Sequence, residues 1–321
     1  MKKIISLAVI GSLSLGMMAQ SYNKMRVLKN DGGEVFFDIS EVKQVDFVEG
    51  QNNVTPFLAG TDETKDGPLK TTLDENVAGG ANLLCYPSQL SDDPYKKHPV
   101  VIWGPGGGTA PGAYMGVINR MASQGFVVFA TKESPGEGTE MMAAIDWLEQ
   151  QNNNPNSKFY NKLLLERVGV FGHSMGGLSS EQALIKDKRV VTAVLNNSGA
   201  FNHAELTKTT KPAMIVYGEV GMEKPNAQGD YYNTGNKGPL CLVEMTGGKD
   251  TGEGGWGHGS GPWGGMAASV AWMRWHIGGE SFRKKEFIEP NGKYVNGPIV
   301  GEQGYWKGEW KNWENWEDYE Y

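Results

Sequence analysis

"RVGVFGHSMGGLSSEQAL" (residues 167–184) decides how this chain is read. An apolar run ends at Gly172, the hexapeptide Gly172-His173-Ser174-Met175-Gly176-Gly177 follows, and a helical pattern begins. Gly-x-Ser-x-Gly between a strand and a helix forces the serine into a tight turn, and the flanking glycines make the close backbone approach possible. Ser174 is then expected to be a nucleophile standing at the carboxyl end of a strand. The next N–H, that of Met175, points at the oxygen of a bound carbonyl, and the helix N-terminus favours the negative charge developing there. A glycine-rich turn without chemistry is the bland alternative, and 45 glycines make chance matches common. The strand before and the helix after favour the nucleophile.

Outward from this stretch, from about Leu69, strand, loop and helix alternate. "HPVVIWG" (98–104), "FVVFAT" (126–131), "VVTAVLN" (190–196), "PAMIVYG" (212–218) and "PLCLVEM" (239–245) read as strands, the first two as buried runs of parallel type. "GAYMGVINRMASQG" (112–125), "TEMMAAIDWLEQQ" (139–151), "GLSSEQALIK" (177–186) and "AASVAWMRWHIGG" (267–279) read as helices. This alternation predicts an α/β class, with a mainly parallel central sheet covered by helices on both faces and its site at the carboxyl ends of the strands.

The remaining segments divide the chain. Residues 1–20 have a lysine pair, a short apolar run and small residues, the organisation of a signal peptide. Residues 21–50 read as a small β-element around the turn Asn30-Asp31-Gly32-Gly33. Residues 51–68 read as a linker, 69–285 as the catalytic domain and 286–321 as a tryptophan-rich tail. That tail is expected to tuck its rings onto the main domain, with stacking on sugar or aromatic polymer as the alternative.

A second oxyanion donor should come from the loop after "HPVVIWG", where Gly107 or Gly108 lets a backbone N–H approach a ligand. Of five histidines, His258 lies after the last strand in "TGEGGWGHGSGPWGG" (251–265), where the base of a Ser…acid…His order belongs. His173 adjoins the serine but is expected to project away from it. His276, beside Trp275 in the last helix, reads as structural.

At these residues a resemblance emerges. "NVAGGANLLCYP" (76–87), "PVVIWGPGGGTA" (99–110), "MASQGFVVFAT" (121–131), "RVGVFGHSMGG" (167–177) and "ASVAWMRWHI" (268–277) resemble the cutinase-like, polyester-hydrolase-related branch of the α/β-hydrolase fold, which neighbours dienelactone hydrolases. The resemblance spans about residues 71–280. It implies ester hydrolysis through an acyl-enzyme without a cofactor, with Ser174, Met175 and His258 at motif positions. Two ring positions depart from the pattern. A glycine, Gly107 or Gly108, stands where the family carries an aromatic, and its substrate-flanking tryptophan falls near Gly199; Tyr114, Trp256 and Trp263 are the replacement walls considered. The family's triad aspartate falls on Gly221. Glu219, two residues earlier on an extended backbone, is the favoured substitute, with Glu223 and Asp230 as alternatives and an acid-free dyad as the fallback.

Composition excludes some classes. Loss of residues 1–20 takes Lys2 and Lys3 and moves the formal charge from −7 to −9, leaving no basic cluster for phosphates. Nucleic acid is therefore not an expected partner, no later stretch reads as a membrane span, and no metal-ligand cluster is visible. Cys85 and Cys241 are assigned to distant strands and expected to stay free thiols. The leading expectation is an exported serine esterase, periplasmic or extracellular, acting on an ester of small, glycan-linked or polyester form. The rival is a catalytically silent protein of the same fold that holds carbohydrate with its tryptophans. Oligomeric state is left open.

Overall fold

The computed structural model describes residues 23–28, 34–41, 54–248, 254–314 and 316–318. The signal segment 1–20 lies outside them. The chain divides into two units, residues 1–51 and 52–321. In the first, β1 (Lys24–Leu28) pairs antiparallel with β2 (Glu34–Asp38), as the hairpin pattern predicts.

The second unit runs β3 (Thr55–Pro56), β4 (Thr71–Val77), β5 (Asn82–Pro87), β6 (Lys96–Gly104), α1 (Met115–Ser123), β7 (Val127–Ala130), α2 (Thr139–Asn153), β8 (Leu163–His173) and α3 (Met175–Lys186). It continues with β9 (Val190–Asn196), β10 (Ala213–Gly218), α4 (Lys224–Tyr232), β11 (Leu240–Thr246), α5 (Gly261–His276), α6 (Lys284–Ile288) and β12 (Tyr305–Lys311). Spatial order across the sheet is β12-β11-β10-β9-β8-β6-β7-β5-β4, with β3 on β6. From β11 to β7 neighbours are parallel; β4, β5 and β12 add antiparallel edges.

The physical cause is the apolar content of the central strands. Val100, Val168, Ala193 and Ile215 are fully buried on one face with α2 and α3 residues such as Ile145 and Leu184. Val101, Phe171, Val194 and Val216 fill the other, under Ile118 of α1 and Trp272 of α5. Strands covered on both faces need continuous apolar runs, which the sequence supplies. This is the α/β-hydrolase architecture expected from the motif. Cys85 on β5 and Cys241 on β11 are buried free thiols with five strands between them, roughly 29 Å at the usual strand spacing.

Two expected boundaries do not hold. Residues read as a linker are built into the larger unit: Phe57 N–H donates to Lys97 O at 2.7 Å and Ala59 N–H to Gln124 O at 2.9 Å. The tail is likewise a sheet edge, because β12 hydrogen-bonds along the whole of β11 and buries Trp306 and Trp313. Its tryptophans serve as core.

A buried ionic cluster fastens the former linker to the helices after the sheet. Arg274, 1% exposed, donates to Gly60 O at 2.7 Å and Gln124 Oε1 at 2.8 Å, and pairs with Glu280. Arg283, 2% exposed, reaches Glu63 Oε2 at 3.1 Å and Thr61 O at 3.0 Å. Glu63 also accepts from Tyr294 Oη at 2.7 Å and from Lys293. Burial alone would raise the Glu63 carboxyl, yet Lys293, Tyr294 and Arg283 outweigh it and hold it below its ordinary value of 4.5. Its stabilisation is therefore present above the unfolded-state value and lost as pH falls through the lowered one.

Glu63→Ala should cost about 2 kcal/mol in urea unfolding, because it removes the carboxylate shared by Arg283, Lys293 and Tyr294 even though Arg283 keeps Glu280 and Glu286. The loss should shrink in acid, where the wild-type carboxyl is also neutral. An unchanged midpoint at neutral pH would show that the cluster contributes nothing.

Candidate active site

Strand β8 delivers Ser174 and α3 starts at the next residue. Ser174 sits at φ +54°, ψ −117°, backbone that non-glycine residues avoid at a cost of about 1–3 kcal/mol. Hydrogen bonds hold it there: its N–H donates to Asn196 O at 3.0 Å, and its carbonyl accepts from Gly177 N–H at 2.9 Å and Ser198 Oγ at 2.8 Å. The motif glycines are sterically required. A Cβ on Gly176 would lie 2.0 Å from Gly104 O, and one on Gly172 would lie 2.4 Å from Gly176 C.

Met175 supplies the first backbone N–H of α3, one of the donors a helix leaves open. The loop after β6 lies over it, so that a Cβ on Gly107 would come 3.1 Å from Met175 Cγ, whereas one on Gly108 would meet open space. Gly108 is at φ +70° and turns the loop. Gly106 N–H donates to Tyr114 Oη at 3.1 Å, which anchors the loop from beneath.

His258 Nδ1 lies 2.8 Å from Glu223 Oε2, and the Glu223 side chain is 7% exposed against 30% for His258. With Nδ1–H donated to a carboxylate, Nε2 is left to accept a proton. Ser174, Glu223 and His258 line one cleft of about 110 Å³. His173 does not project away from this group: its ring faces that of His258, centroids 4.7 Å apart, and its Nδ1 lies 2.9 Å from Tyr114 Oη. Burial, with His258 nearby, lowers His173 to about 4. It stays neutral beside the base.

The carboxylate on the histidine is thus Glu223 and not Glu219, the favoured choice. The segment after β10 turns where extended backbone was assumed: Gly221 N–H returns to Gly218 O at 3.0 Å and α4 starts at Lys224. Glu223 caps that helix, its carbonyl accepting from Asn226 and Ala227 N–H, both at 2.9 Å. Glu219 instead accepts from Gly247 and Gly248 N–H at 3.0 and 3.2 Å. Asp230 is buried on α4 and accepts from Ala200 N–H. Gly221 explains the relocation, because a Cβ there would lie 2.4 Å from Glu223 Oε1. The missing side chain is the space the carboxylate occupies. Pro225 in the first helical turn was the legible sign of α4.

Two expected walls are also displaced. Tyr114 is 3% exposed and supports the glycine loop. Trp256 is buried as a clamp: its Nε1–H donates to Gln303 O at 3.1 Å, and its carbonyl accepts from Val220 N–H at 3.0 Å. Trp263 remains half exposed against Tyr114, ring centroids 5.4 Å apart. The cleft is flanked instead by Phe201 and Met222, 79% and 80% exposed, which the sequence reading missed. Large apolar residues in loops at the carboxyl end of the sheet were the available signal. A ring at position 199 is impossible here, since a Cβ on Gly199 would lie 2.6 Å from Ala227 N in α4.

The other histidines have structural partners: His98 bridges Gly125 O and Ser91 N–H, His203 meets Asn226, and His276 is buried among Trp272 and Trp275. Among the described residues no group of three or more His, Cys, Asp or Glu is placed to hold a metal ion. No helix among them is long and apolar enough to cross a membrane. A family model described as PET hydrolase-like matches residues 63–299. Among curated proteins, nothing matches the chain.

Glu223→Gln should depress hydrolysis of a short nitrophenyl ester by about 10³–10⁴-fold, as loss of a triad carboxylate does, while Glu219→Gln and Asp230→Asn stay within a few-fold. Equal activity for all three amides would leave the serine and histidine to act alone.

Proposed function

Because the chain belongs to the PET hydrolase-like family, and is by that membership an ester hydrolase, we propose that it cleaves carboxylic esters through an acyl-enzyme on Ser174. The observation that carries the reading is the Glu223–His258 contact of 2.8 Å in the same cleft as a serine on a strained elbow. Glu223 holds the imidazole with Nδ1–H toward itself and offsets the charge of the imidazolium. His258 Nε2 takes the Ser174 proton as Oγ attacks the carbonyl carbon. The tetrahedral oxyanion is met by Met175 N–H and by an N–H of the glycine loop, with Gly107 the candidate lying over Met175. Imidazolium then protonates the leaving alcohol, the acyl-enzyme forms, and water repeats the sequence in reverse order. Neutral His173 adds no positive charge to compete with the imidazolium.

The open, apolar-flanked cleft supports a substrate presented on a larger body, either a polyester or a glycan carrying acyl groups, and the N-terminal segment supports export. The silent carbohydrate-binding alternative keeps the elbow without an activated serine.

A fluorophosphonate probe should label wild type and fail on Ser174→Ala, whose ester turnover should fall roughly 10⁴-fold or more with the fold intact. Intact protein that neither labels nor hydrolyses any of a panel of nitrophenyl, feruloyl, acetyl-xylan and polyester substrates would favour the silent reading.

Activity should also fall as pH drops through the titration of His258, since the protonated ring cannot accept the serine proton, and Glu223→Gln should shift that limb. A pH-independent rate across the acid range would remove histidine from the mechanism.

A further inference from the structure

Beside the cleft, across a ridge formed by Leu178 and Phe201, lies a second hollow of about 220 Å³. Leu178, Glu181 and Gln182 of α3 form one side, and Ala200, Phe201 and Asn202 of the segment after β9 form the other. The three helix residues share a face by their spacing, and that face begins at the turn carrying Ser174.

Glu181 is 1% exposed, and neither of its carboxyl oxygens has a hydrogen-bond partner. A buried polar group left unpaired costs about 1–3 kcal/mol, so its retention calls for a role. Other polar groups around the hollow are engaged. Gln182 Nε2 and Asn202 Nδ2 both donate to Glu205 at 2.8 Å; Asp230, which does not line the hollow, accepts from Ala200 N–H through Oδ2 and leaves its buried Oδ1 unpaired. Burial, with Asp230 and Glu205 facing it, drives the Glu181 carboxyl well above the ordinary range against the weaker pull of Lys208. Asp230, chiefly by burial, is pushed up to about 7. The surroundings thus favour the neutral form of Glu181, which can donate one hydrogen bond and accept another.

We propose that this hollow is an acyl subsite that receives a neutral aromatic ring bearing a single hydroxyl, with the ring against Phe201 and the hydroxyl on Glu181. The proposal deepens the serine-esterase reading and rests on it for the direction in which the substrate lies. One unpartnered carboxyl satisfies one polar group, so a sugar ring would bury hydroxyls unpaired. A carboxylate at the ring's far end would meet Glu205 and be repelled. Seven residues of helix separate Ser174 from Glu181, roughly 10 Å along the axis. A hydroxycinnamoyl group is long enough to bridge that distance and an acetyl group is not.

The test uses inert and reactive pairs. Calorimetry compares 4-hydroxycinnamamide with cinnamamide on the full chain, and kcat/KM compares the corresponding methyl esters. Wild type should favour the hydroxylated member of each pair about tenfold, equivalent to about 1.4 kcal/mol. Glu181→Leu should erase the preference without lowering the melting temperature, because it removes an unpaired buried group. Phe201→Ala, a surface change, should weaken both amides alike. Equal binding of the two amides by wild type, or a preference surviving in Glu181→Leu, overturns the subsite. Should the amides separate as expected while no ester is cleaved, the hydrolase reading fails and the subsite stands; should nitrophenyl acetate be cleaved by wild type while the amides bind equally, the reverse holds.

Discussion

The first turn of α3 is pressed against the end of β6 with no side chain between them, and the site depends on that contact. Gly104 O lies where a Cβ on Gly176 would go, and Gly176 lies where a Cβ on Gly172 would go. Two motif glycines and a strand-terminal one therefore act as a single steric unit. The approach fixes Ser174 in left-handed backbone, since the chain must leave β8 and enter a helix within one residue. It also places Met175 N–H at the mouth of the glycine loop, so that Ser174 and the proposed oxyanion donors are set by the same packing. Strain at one residue is sustained because strands buried on both faces give the sheet little freedom to relax.

The acid side of the site follows a looser logic. Histidine needs an acceptor at Nδ1, and of the carboxylates after β10 Glu223 supplies it while Glu219 and Asp230 bond elsewhere. Here a glycine at 221 leaves a gap and a glutamate at 223 fills it from the cap of α4. The longer side chain covers the extra distance, and Lys224, paired with Glu244 at 2.6 Å, pins the start of that helix. The same helix closes over Gly199, excluding a ring there and leaving Phe201 to stand beside the cleft. The Glu223–His258 contact and the exclusion of a ring at position 199 are thus two effects of one element, α4.

Legibility in the sequence tracked how strongly local chemistry was constrained. The strands from "HPVVIWG" to "PLCLVEM" were readable because two-sided burial demands unbroken apolar runs, and the elbow because only glycine tolerates its contacts. An extended backbone through residues 219–223 points to Glu219 as the partner of the histidine, whereas a turn and a helix start there send Glu219 toward Gly247 and Gly248 and bring Glu223 to His258. The linker's place in the larger unit is hidden because polar, punctuated sequence resembles a tether, and the tail, whose rings pack on the domain, gives no local sign that it also forms a strand on the sheet edge. The partners that hold them in place, Arg274, Arg283 and strand β11, are distant in the chain and invisible to local pattern. Tyr114 and Trp256 illustrate a related limit, since an aromatic in a loop can face the substrate or brace the loop, and only packing decides.

Trp256 links chemistry to the order in which the chain is made. It lies two residues before His258 and is held by Gln303 O and by Val220 N–H, with Gly304 packed against its indole. Residues 303 and 304 lead directly into β12, which closes the sheet edge. During synthesis the serine, its elbow and the central strands emerge long before that closure. One of the two hydrogen bonds on Trp256 therefore comes from the segment entering the last strand to be made, so the packing two residues before His258 is completed only when the sheet edge closes.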